Sequence, residues 1–386
     1  MIAAGFAIRE KAAARRERLR FVEFSLFFLL IFDGLGVPVL PVSVPLSEVA
    51  AVALVAFGVF RSPIRPLTRY GWYLPFWVIL LAYCVMESWV NEVDWFRRTV
   101  RLVVMVVLSL QIATGRLDVW SGLRGFLVGL AVNVLLFYLR LAPDGYGGLL
   151  TGFLGDKNVA GLFYATVPLL ALPFVIRARW RVALLVFAGV TVFLTGSRTS
   201  IAALAAAALW VLVRRRLPLP FHLPMFAALY AGIQYLEANF AHAWIFSDRT
   251  GTDLLRSRID EASWQKAEAA PPYGLGLGEA TVDLEGRSWF FHNSFLGLYV
   301  EGGWVLVIAV TGVLVAIALP LLRATHLRPP TALEAAAIVL LFCASRLGEV
   351  LLALPAFLLL GCVMAIGLNR RLAGPKYEQA VGALKE

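Results

Sequence analysis

Residues 292–320 read HNSFLGLYVEGGWVLVIAVTGVLVAIALP, and this stretch decides the class of fold. After His292 it holds a single formally charged residue, Glu301. A helix that crosses a lipid bilayer needs about 20 predominantly apolar residues, which this stretch supplies. The whole chain agrees: 60% of its residues are hydrophobic and 16% are charged, against about 25% charged in soluble domains. This composition predicts an integral membrane protein and excludes a disulfide-rich secreted scaffold, a disordered chain and a DNA-binding domain.

The chain contains about twelve apolar segments of this kind. They cover residues 21–40, 44–60, 71–89, 99–114, 119–141, 158–176, 181–195, 199–213, 217–236, 292–320, 332–347 and 349–368. We therefore predict an all-α, polytopic integral membrane protein with about 12 transmembrane helices. Its predicted parts are a cytoplasmic leader (1–20), helices 1–9 (21–236), an outer loop (237–291), helices 10–12 (292–368) and a cytoplasmic tail (369–386).

Arginine and lysine residues predict how the chain lies in the membrane. With the N-terminus in the cytoplasm, basic clusters fall on the cytoplasmic side at nearly every turn, as the positive-inside rule expects. The loop at 237–291 then lies outside, and it is net acidic, with nine acidic and five basic residues. Basic residues left on the outer side break the rule and are therefore informative. They include Arg97, Arg98, Arg101, Lys157, Arg198 and Arg346.

Two of the outer-side motifs lie at the ends of apolar segments. Residues 195–199 (TGSRT) form a predicted tight turn. Either Arg198 reaches out to lipid headgroups, or its planar guanidinium group binds a phosphate at the outer surface. Asp156, Lys157 and Asn158 begin another segment from the same side, where a helix-capping turn is the simpler interpretation.

The outer loop contains a predicted helix. It begins at Thr252 or Asp253 and runs to about Ala269, because apolar side chains recur at helical spacing and two prolines follow. Arg258 lies on this helix with Glu261 three residues later, so a surface ion pair is the simpler interpretation of this arginine.

The glycine-rich stretch 274–278 (GLGLG) follows that helix. No predicted strand precedes it, so it is not a dinucleotide-binding fingerprint, and we expect a flexible hinge leading back to the membrane. Asp283 and Glu285 are a lone acidic pair. A solvated loop explains them better than a metal site does.

His292 lies where the outer loop meets the next membrane helix, and it is one of four histidines in the chain. Asn293 or Ser294 can cap that helix. Glu301 lies roughly 13 Å further along, at about 1.5 Å per residue. An acid at this depth is costly in lipid, so Glu301 should face the protein interior. His292 is either an interfacial histidine with an ordinary hydrogen bond or a functional group.

Taken in order, these motifs resemble the O-antigen ligase and O-antigen polymerase superfamily. The motifs are DKN at 156–158, GSRT at 196–199, SRID at 257–260, PYGLG at 272–276 and HNSFL at 292–296, followed by Glu301 and Gly302. The resemblance covers roughly residues 150–305. The twelve apolar segments and the long outer loop agree with it.

The resemblance implies an all-helical glycosyltransferase of the membrane-embedded C type in the bacterial inner membrane, with its active site facing the periplasm. The donor would be a glycan on undecaprenyl diphosphate. The acceptor would be lipid A–core for a ligase or another lipid-linked repeat for a polymerase, and the sequence leaves these two open. The family histidine corresponds to His292, and its arginines correspond to Arg198 and Arg258. The tryptophan usual shortly after the loop arginine comes late, as Trp264, so Arg256 stays an alternative to Arg258.

The chemistry of this reaction suits the residue types. A lipid-linked sugar diphosphate carries its own leaving group, so the enzyme must supply a base and positive charge. Histidine titrates near neutral pH and suits the first task, which predicts His292 as general base. Arg198 and Arg258 would neutralise the diphosphate without a metal ion or cofactor. The expected substrate-binding residues are Asp156, Lys157, Asn158, Arg256, Asn293 and Glu301, and membrane lipids but no nucleic acid are expected as further partners.

A polytopic transporter or a flippase for lipid-linked glycans is the alternative class. Acidic residues in or near the apolar segments could couple transport to an ion. The sequence has no detectable internal repeat of the kind that many transporters carry. Transport also does not require an outer loop of this length, so the transferase is favoured.

Overall fold

The computed structural model describes residues 19–39, 42–214, 216–240, 250–319 and 329–372. Most of the predicted leader and tail lie outside these residues. The described part is mostly helical, with 71% helix in thirteen helices, and it also contains two short antiparallel hairpins. The all-α expectation is therefore confirmed for the helices, while the hairpins were not predicted.

The thirteen helices of the described part are α1 (Phe21–Leu29), α2 (Leu46–Val59), α3 (Tyr73–Val90), α4 (Phe96–Thr114), α5 (Val119–Tyr138), α6 (Lys157–Ala171), α7 (Ala178–Thr195), α8 (Arg198–Val213), α9 (His222–Phe240), α10 (Thr250–Ala269), α11 (Ser294–Ala318), α12 (Thr331–Ala344) and α13 (Leu354–Leu372). The strands are β1 (Gly36–Val39), β2 (Val42–Pro45), β3 (Thr281–Leu284) and β4 (Arg287–Phe290). Each of the twelve apolar segments overlaps one of these α-helices, and α10 is the predicted helix of the outer loop.

Five helical stretches of the described residues are long and apolar enough to cross a membrane: Thr68–Val90, Val119–Tyr138, Lys157–Phe174, Ala178–Thr195 and Ser294–Ala318. Several others are apolar but shorter. The first predicted segment, 21–40, differs most, because its helix ends at Leu29. Gly34 and Pro38 disfavour a helix beyond this point, and β1 pairs there with β2, with Val37 opposite Val44.

Helices α6 and α12 lie at the centre of the helix bundle. Almost every residue of α6 and α12 is buried, which is typical of helices at the centre of a bundle. α12 packs against α8 and α6, while α1 packs against α5. At this last contact a Cβ on Gly125 would overlap the backbone carbonyl of Phe24. A glycine therefore lets α1 and α5 approach closely.

The long helix α11 is kinked at Gly302 and Gly303, in the first half of the stretch 292–320 that decided the class of fold. Gly302 and Gly303 leave the helical conformation there, and Gly303 has φ of +61°. The segment 272–278 supplies hydrogen-bond partners for the backbone groups that the kink releases. The bonds run from Leu275 N to Val300 O (2.7 Å), from Gly276 N to Glu301 O (3.1 Å) and from Trp304 N to Pro272 O (3.0 Å).

The same segment is also fixed to α3. Tyr83 OH donates to Tyr273 O (2.8 Å), and Leu277 N donates to Ser88 Oγ (2.8 Å). The expectation of a flexible hinge at 274–278 is therefore wrong. Released backbone groups at a helix kink must be satisfied within the protein, and this segment satisfies them.

Candidate active site

Helix α10 and the hairpin β3–β4 form a layer over the start of α11. Ile259, Val282, Phe291 and Val300 belong to one buried apolar cluster that joins the three parts. The hairpin turns at Glu285 and Gly286, both of which have positive φ, as a two-residue type I′ turn requires. Residues 250–291 are thus a packed layer, and this packing fixes the position of α10 relative to His292.

His292 and Asp260 form the central pair of the site. His292 Nδ1 lies 3.2 Å from Asp260 Oδ1, and both side chains are partly exposed. The Asn293 side chain accepts hydrogen bonds from Phe295 N (3.0 Å) and Leu296 N (3.2 Å), which confirms it as the cap of α11. When Nδ1 carries the proton and donates it to the carboxylate, Nε2 of the neutral imidazole is left as an acceptor.

Asp260 is a site residue that the sequence did not reveal. It was quoted within the SRID motif, but nothing in the linear sequence relates the rotation of α10 to the position of His292. The contact brings together residues 32 positions apart.

The two arginines of α10 lie on different faces of the helix. Arg256 precedes Asp260 by four residues and therefore shares its face. Its Nη2 donates to the carbonyl oxygen of Arg346 at 2.5 Å. Arg258 points elsewhere: its side chain is 53% exposed, and its Nη1 lies 2.6 Å from Glu285 Oε1. The ion pair of Arg258 is therefore with the hairpin and not with the acid three residues later in α10.

Glu301 is buried, as the sequence predicted, with 1% of its surface exposed. Its carboxylate lies 2.9 Å from Arg98 Nη2 and also accepts a hydrogen bond from Gly278 N at 3.0 Å. Arg98 pairs with Glu349 as well, and Glu349 in turn lies 2.9 Å from Arg101 Nη1. Arg98 and Arg101 both break the charge rule, and their ion pairs in this partly buried network give the physical reason.

A small cleft lies between the start of α11, the end of the hairpin and the turn at 348–352. Its lining includes Arg98, Phe290, Asn293, Glu301, Glu349 and Leu352. Phe291 and Asn293, the two chain neighbours of His292, both belong to this lining.

The other predicted residues lie at the paired starts of α6 and α8. Asp156 caps α6 by accepting from Asn158 N (2.7 Å) and Val159 N (3.1 Å). Ser197 caps α8, and its hydroxyl donates to Asn158 Oδ1 at 3.1 Å. Two helix N-termini therefore lie side by side, and each carries a partial positive charge.

Lys157 and Arg198 are the first residues of these two helices. Tyr146 lies beside the first of them: its hydroxyl donates to Asp156, and its ring centroid is 5.4 Å from Lys157 Nζ. Burial and the hydrogen bond to Asp156 raise the pKa of Tyr146, so the phenol keeps its proton at neutral pH. The corner combines two cationic side chains with two helix N-termini, which is a favourable setting for an anion.

A scan against protein-family models finds no match to this chain, and neither does a search of the curated proteins. Among the side chains that the structure describes, no group of three or more histidine, cysteine, aspartate or glutamate residues is arranged to hold a metal ion.

Proposed function

We propose that this chain is a membrane-embedded glycosyltransferase of the O-antigen ligase or polymerase type. It transfers a glycan from undecaprenyl diphosphate to a hydroxyl of an acceptor glycan at the periplasmic face of the bacterial inner membrane. The observation that carries the proposal is the pair formed by His292 and Asp260, at 3.2 Å between Nδ1 and Oδ1. A base oriented by a carboxylate is a recurrent arrangement for proton abstraction from a hydroxyl.

The proposed reaction is a single displacement. His292 Nε2 takes the proton of the acceptor hydroxyl while its oxygen bonds to the anomeric carbon. The bond between this carbon and the diphosphate oxygen breaks, and the electron pair leaves with the diphosphate. Asp260 holds the imidazole in the required tautomer and stabilises the positive charge that develops on it. This geometry implies inversion at the anomeric carbon.

Positive charge for the departing diphosphate has two sources in this proposal. The first is the corner with Lys157, Arg198 and the N-termini of α6 and α8. The second is α10, where Arg256 shares a helix face with Asp260, which favours Arg256 over the more exposed Arg258 as the loop arginine. Guanidinium groups suit this task because their planar fork matches phosphate oxygens.

Placement in the membrane is part of the proposal. Among the described residues, five helices are long and apolar enough to span a bilayer, which supports it, as does the composition of the chain. The distribution of basic residues favours a periplasmic position for the loop at 237–291. A lipid-linked diphosphate lies at the depth of the lipid headgroups. In the proposed orientation α6 and α8 begin at the outer surface, so their first residues, Lys157 and Arg198, lie at the same depth.

The test is transfer by the purified protein in detergent micelles. Undecaprenyl-diphosphate-linked glycan is supplied as donor, with lipid A–core or a second lipid-linked repeat as acceptor. We expect a product with one of the two acceptors and an inverted anomeric carbon, which also decides between ligase and polymerase. A product with retained configuration, or no product with either acceptor, would contradict the proposal.

A transporter or flippase is the second candidate, because acidic and basic side chains form a partly buried ion-pair network between helices. In this network Glu48, Glu301 and Glu349 each lie within ion-pair distance of an arginine. Paired carboxylates bind a coupling ion less readily than unpaired ones, so the network favours a structural or binding role. Transport requires two compartments, and activity in micelles therefore separates the two classes.

A further inference from the structure

The turn between α6 and α7 carries a concentration of positive charge on the predicted cytoplasmic side. Arg177, Arg179 and Arg181 lie within five residues of the chain, and all three are exposed. No aspartate or glutamate occurs between Asp156 and Glu237, so the helices on both sides of the turn supply no carboxylate. Any group that balances the charge of these arginines must therefore come from another part of the chain or from outside the protein.

Aromatic stacking brings a fourth arginine to the same end of the bundle. The Trp120 ring, near the start of α5, stacks on Phe174 with 5.8 Å between ring centroids and 16° between ring planes. The guanidinium carbon of Arg124 lies 4.5 Å from the centroid of the Trp120 ring, because helical side chains point back toward the start of their helix. Arg181 is fixed to the turn, since its Nε donates to Val175 O at 2.7 Å. We call the following residues the arginine cluster: Arg124, Arg177, Arg179 and Arg181.

Two other arginines on the predicted cytoplasmic side are neutralised inside the protein. Arg61 pairs with the buried Glu23, and Arg214 pairs with the buried Glu334. In contrast, no member of the arginine cluster lies within ion-pair distance of a carboxylate that belongs to the described part of the chain. The cluster therefore concentrates positive charge at one end of the bundle, which is the charge pattern of a surface that attracts anions.

Exposed apolar side chains lie among these arginines. Ile176 is 91% exposed and Trp180 is 57% exposed, and the guanidinium carbon of Arg179 lies 5.8 Å from the centroid of the Trp180 ring. A small inorganic anion bound here would leave this apolar surface in water. A phospholipid brings its acyl chains along with its phosphate, and exposed tryptophan and arginine side chains are both typical of the membrane interface. The combination of apolar and cationic side chains therefore favours a lipid as the bound anion.

We infer that the arginine cluster binds the phosphate of an anionic phospholipid in the cytoplasmic leaflet, with Ile176 and Trp180 against its glycerol and acyl chains. The planar fork of a guanidinium group matches phosphate oxygens, and basic surface clusters attract the anionic lipids of this leaflet. The inference rests on the membrane placement in the proposed function and not on the transfer reaction. It adds a lipid site on the face of the membrane opposite the proposed active site.

The test is photocrosslinking of the full-length protein in vesicles of phosphatidylethanolamine with a minority of phosphatidylglycerol. The protein carries p-benzoylphenylalanine in place of Ile176, and each lipid is labelled in turn at the same overall composition. We expect phosphatidylglycerol to be attached in clear excess over its share of the lipid. Attachment in proportion to the composition, or no attachment of either lipid, would overturn the inference, and this comparison requires no change to the arginines.

Two double variants separate the arginine cluster from general positive charge. Arg177→Gln with Arg179→Gln should reduce the preference for phosphatidylglycerol by about fivefold for each arginine removed, the usual effect of one basic residue at an anionic surface. Arg69→Gln with Arg216→Gln removes the same charge from the same predicted side, outside the cluster, and should leave the preference unchanged. Equal losses in the two double variants would show that overall charge attracts the lipid, and would overturn the cluster as a site.

Inorganic phosphate distinguishes a lipid site from a simple anion site. An excess of phosphate at constant ionic strength should not lower the attachment of phosphatidylglycerol, and displacement of the lipid would overturn it as the ligand. Transfer is measured on the same preparations and should be equal in the wild type and in both double variants. Attachment in proportion to composition by an active transferase would overturn this inference alone. A clear lipid preference in a protein that transfers to neither acceptor would support the lipid site and contradict only the proposed function.

Discussion

The proposed base depends on one contact, between His292 Nδ1 and Asp260 Oδ1 at 3.2 Å. We expect His292→Ala to fold and to bind the lipid-linked donor, yet to transfer at least about a hundredfold more slowly, which is the usual size of a general-base effect. Donor binding and single-turnover rates of the purified variant measure the two effects separately. Substantial turnover by His292→Ala would reject the assignment.

Asp260 should act through His292 and not by itself. In Asp260→Asn the side-chain amide can donate a hydrogen bond to His292 Nδ1, so the imidazole proton moves to Nε2. Nε2 can then no longer accept the proton of the substrate hydroxyl. We therefore expect a slower reaction with an unchanged KM for the donor. The double variant with His292→Ala should be no slower than His292→Ala alone, because the two residues work as one unit. Asp283→Asn, on the exposed side of β3, is the matched control. Additive losses in the double variant would show that Asp260 has another role.

The two arginines of α10 can be separated by single substitutions. Arg256 shares a helix face with Asp260, whereas Arg258 pairs with Glu285 at the surface. We expect Arg256→Ala and Arg198→Ala each to slow transfer roughly tenfold to more than a hundredfold, the equivalent of about 1.5–3 kcal/mol per charge-assisted contact. Lysine should rescue poorly at either position, because it lacks the bidentate fork.

The effect of Arg258→Ala decides whether the functional arginine of α10 is Arg256, as the geometry indicates, or Arg258, as the sequence motif predicts. Near-normal rates in Arg258→Ala beside an inactive Arg256→Ala would support the geometry. The reverse result, in the same transfer assay, would show that the motif arginine is Arg258 and that its contact with Glu285 is exchanged for the substrate.

At the scale of elements, the kink in α11 and the segment 272–278 depend on each other. A Cβ on Gly303 would overlap the carbonyl of Pro272, and the positive φ of Gly303 disfavours any other residue. We expect Gly303→Ala to destabilise the protein by about 1–3 kcal/mol or more, the usual size of such backbone strain, and to reduce transfer. Gly312→Ala lies in the same helix, where nothing lies within 4 Å of an added Cβ, and it should unfold at the wild-type temperature or above.

Thermal unfolding in detergent, followed with a thiol-reactive dye, measures this difference. The method suits the chain because Cys84, Cys343 and Cys362 are all buried and become reactive only on unfolding. Equal unfolding temperatures for Gly303→Ala and Gly312→Ala would mean that the docked segment does not support the kink.

At the scale of the whole molecule, the first question is orientation. Arg287 is exposed in β4, and Arg179 is exposed near the start of α7. We expect a membrane-impermeant maleimide to label Arg287→Cys from the periplasm and Arg179→Cys only after the cytoplasmic side is opened. Labelling of Arg287→Cys from the cytoplasm alone would reverse the proposed topology and move the site to the other face.

The second question is whether the whole enzyme needs a divalent ion. Arginines and helix N-termini can stabilise a leaving diphosphate without one. We therefore expect purified protein to keep most of its activity in excess EDTA. The opposite outcome would be a full loss of activity in EDTA that Mg²⁺ or Mn²⁺ reverses in the wild-type protein but not in Asp283→Asn or Glu285→Gln. It would show that a metal ion held by the acidic pair of the hairpin stabilises the leaving diphosphate.

The sequence by itself determined the features that depend on neighbouring residues. Apolar length located the helices, and short polar motifs predicted the capping turns in which Asp156 and Asn293 cap α6 and α11. The cost of an exposed charge in lipid was enough to predict that Glu301 is buried. Helix formation and burial follow from periodicity and composition, which a single sequence contains.

Tertiary structure alone decided which distant side chains meet. Asp260 lies 32 residues from His292, and Arg98 lies 203 residues from Glu301. Such contacts depend on the rotation, depth and crossing of whole helices, which are set by packing along their full lengths. The docking of the segment 272–278 on the kink of α11 has the same origin. Gly302 and Gly303 release backbone groups at the kink, and only the folded chain brings this segment close enough to bind them.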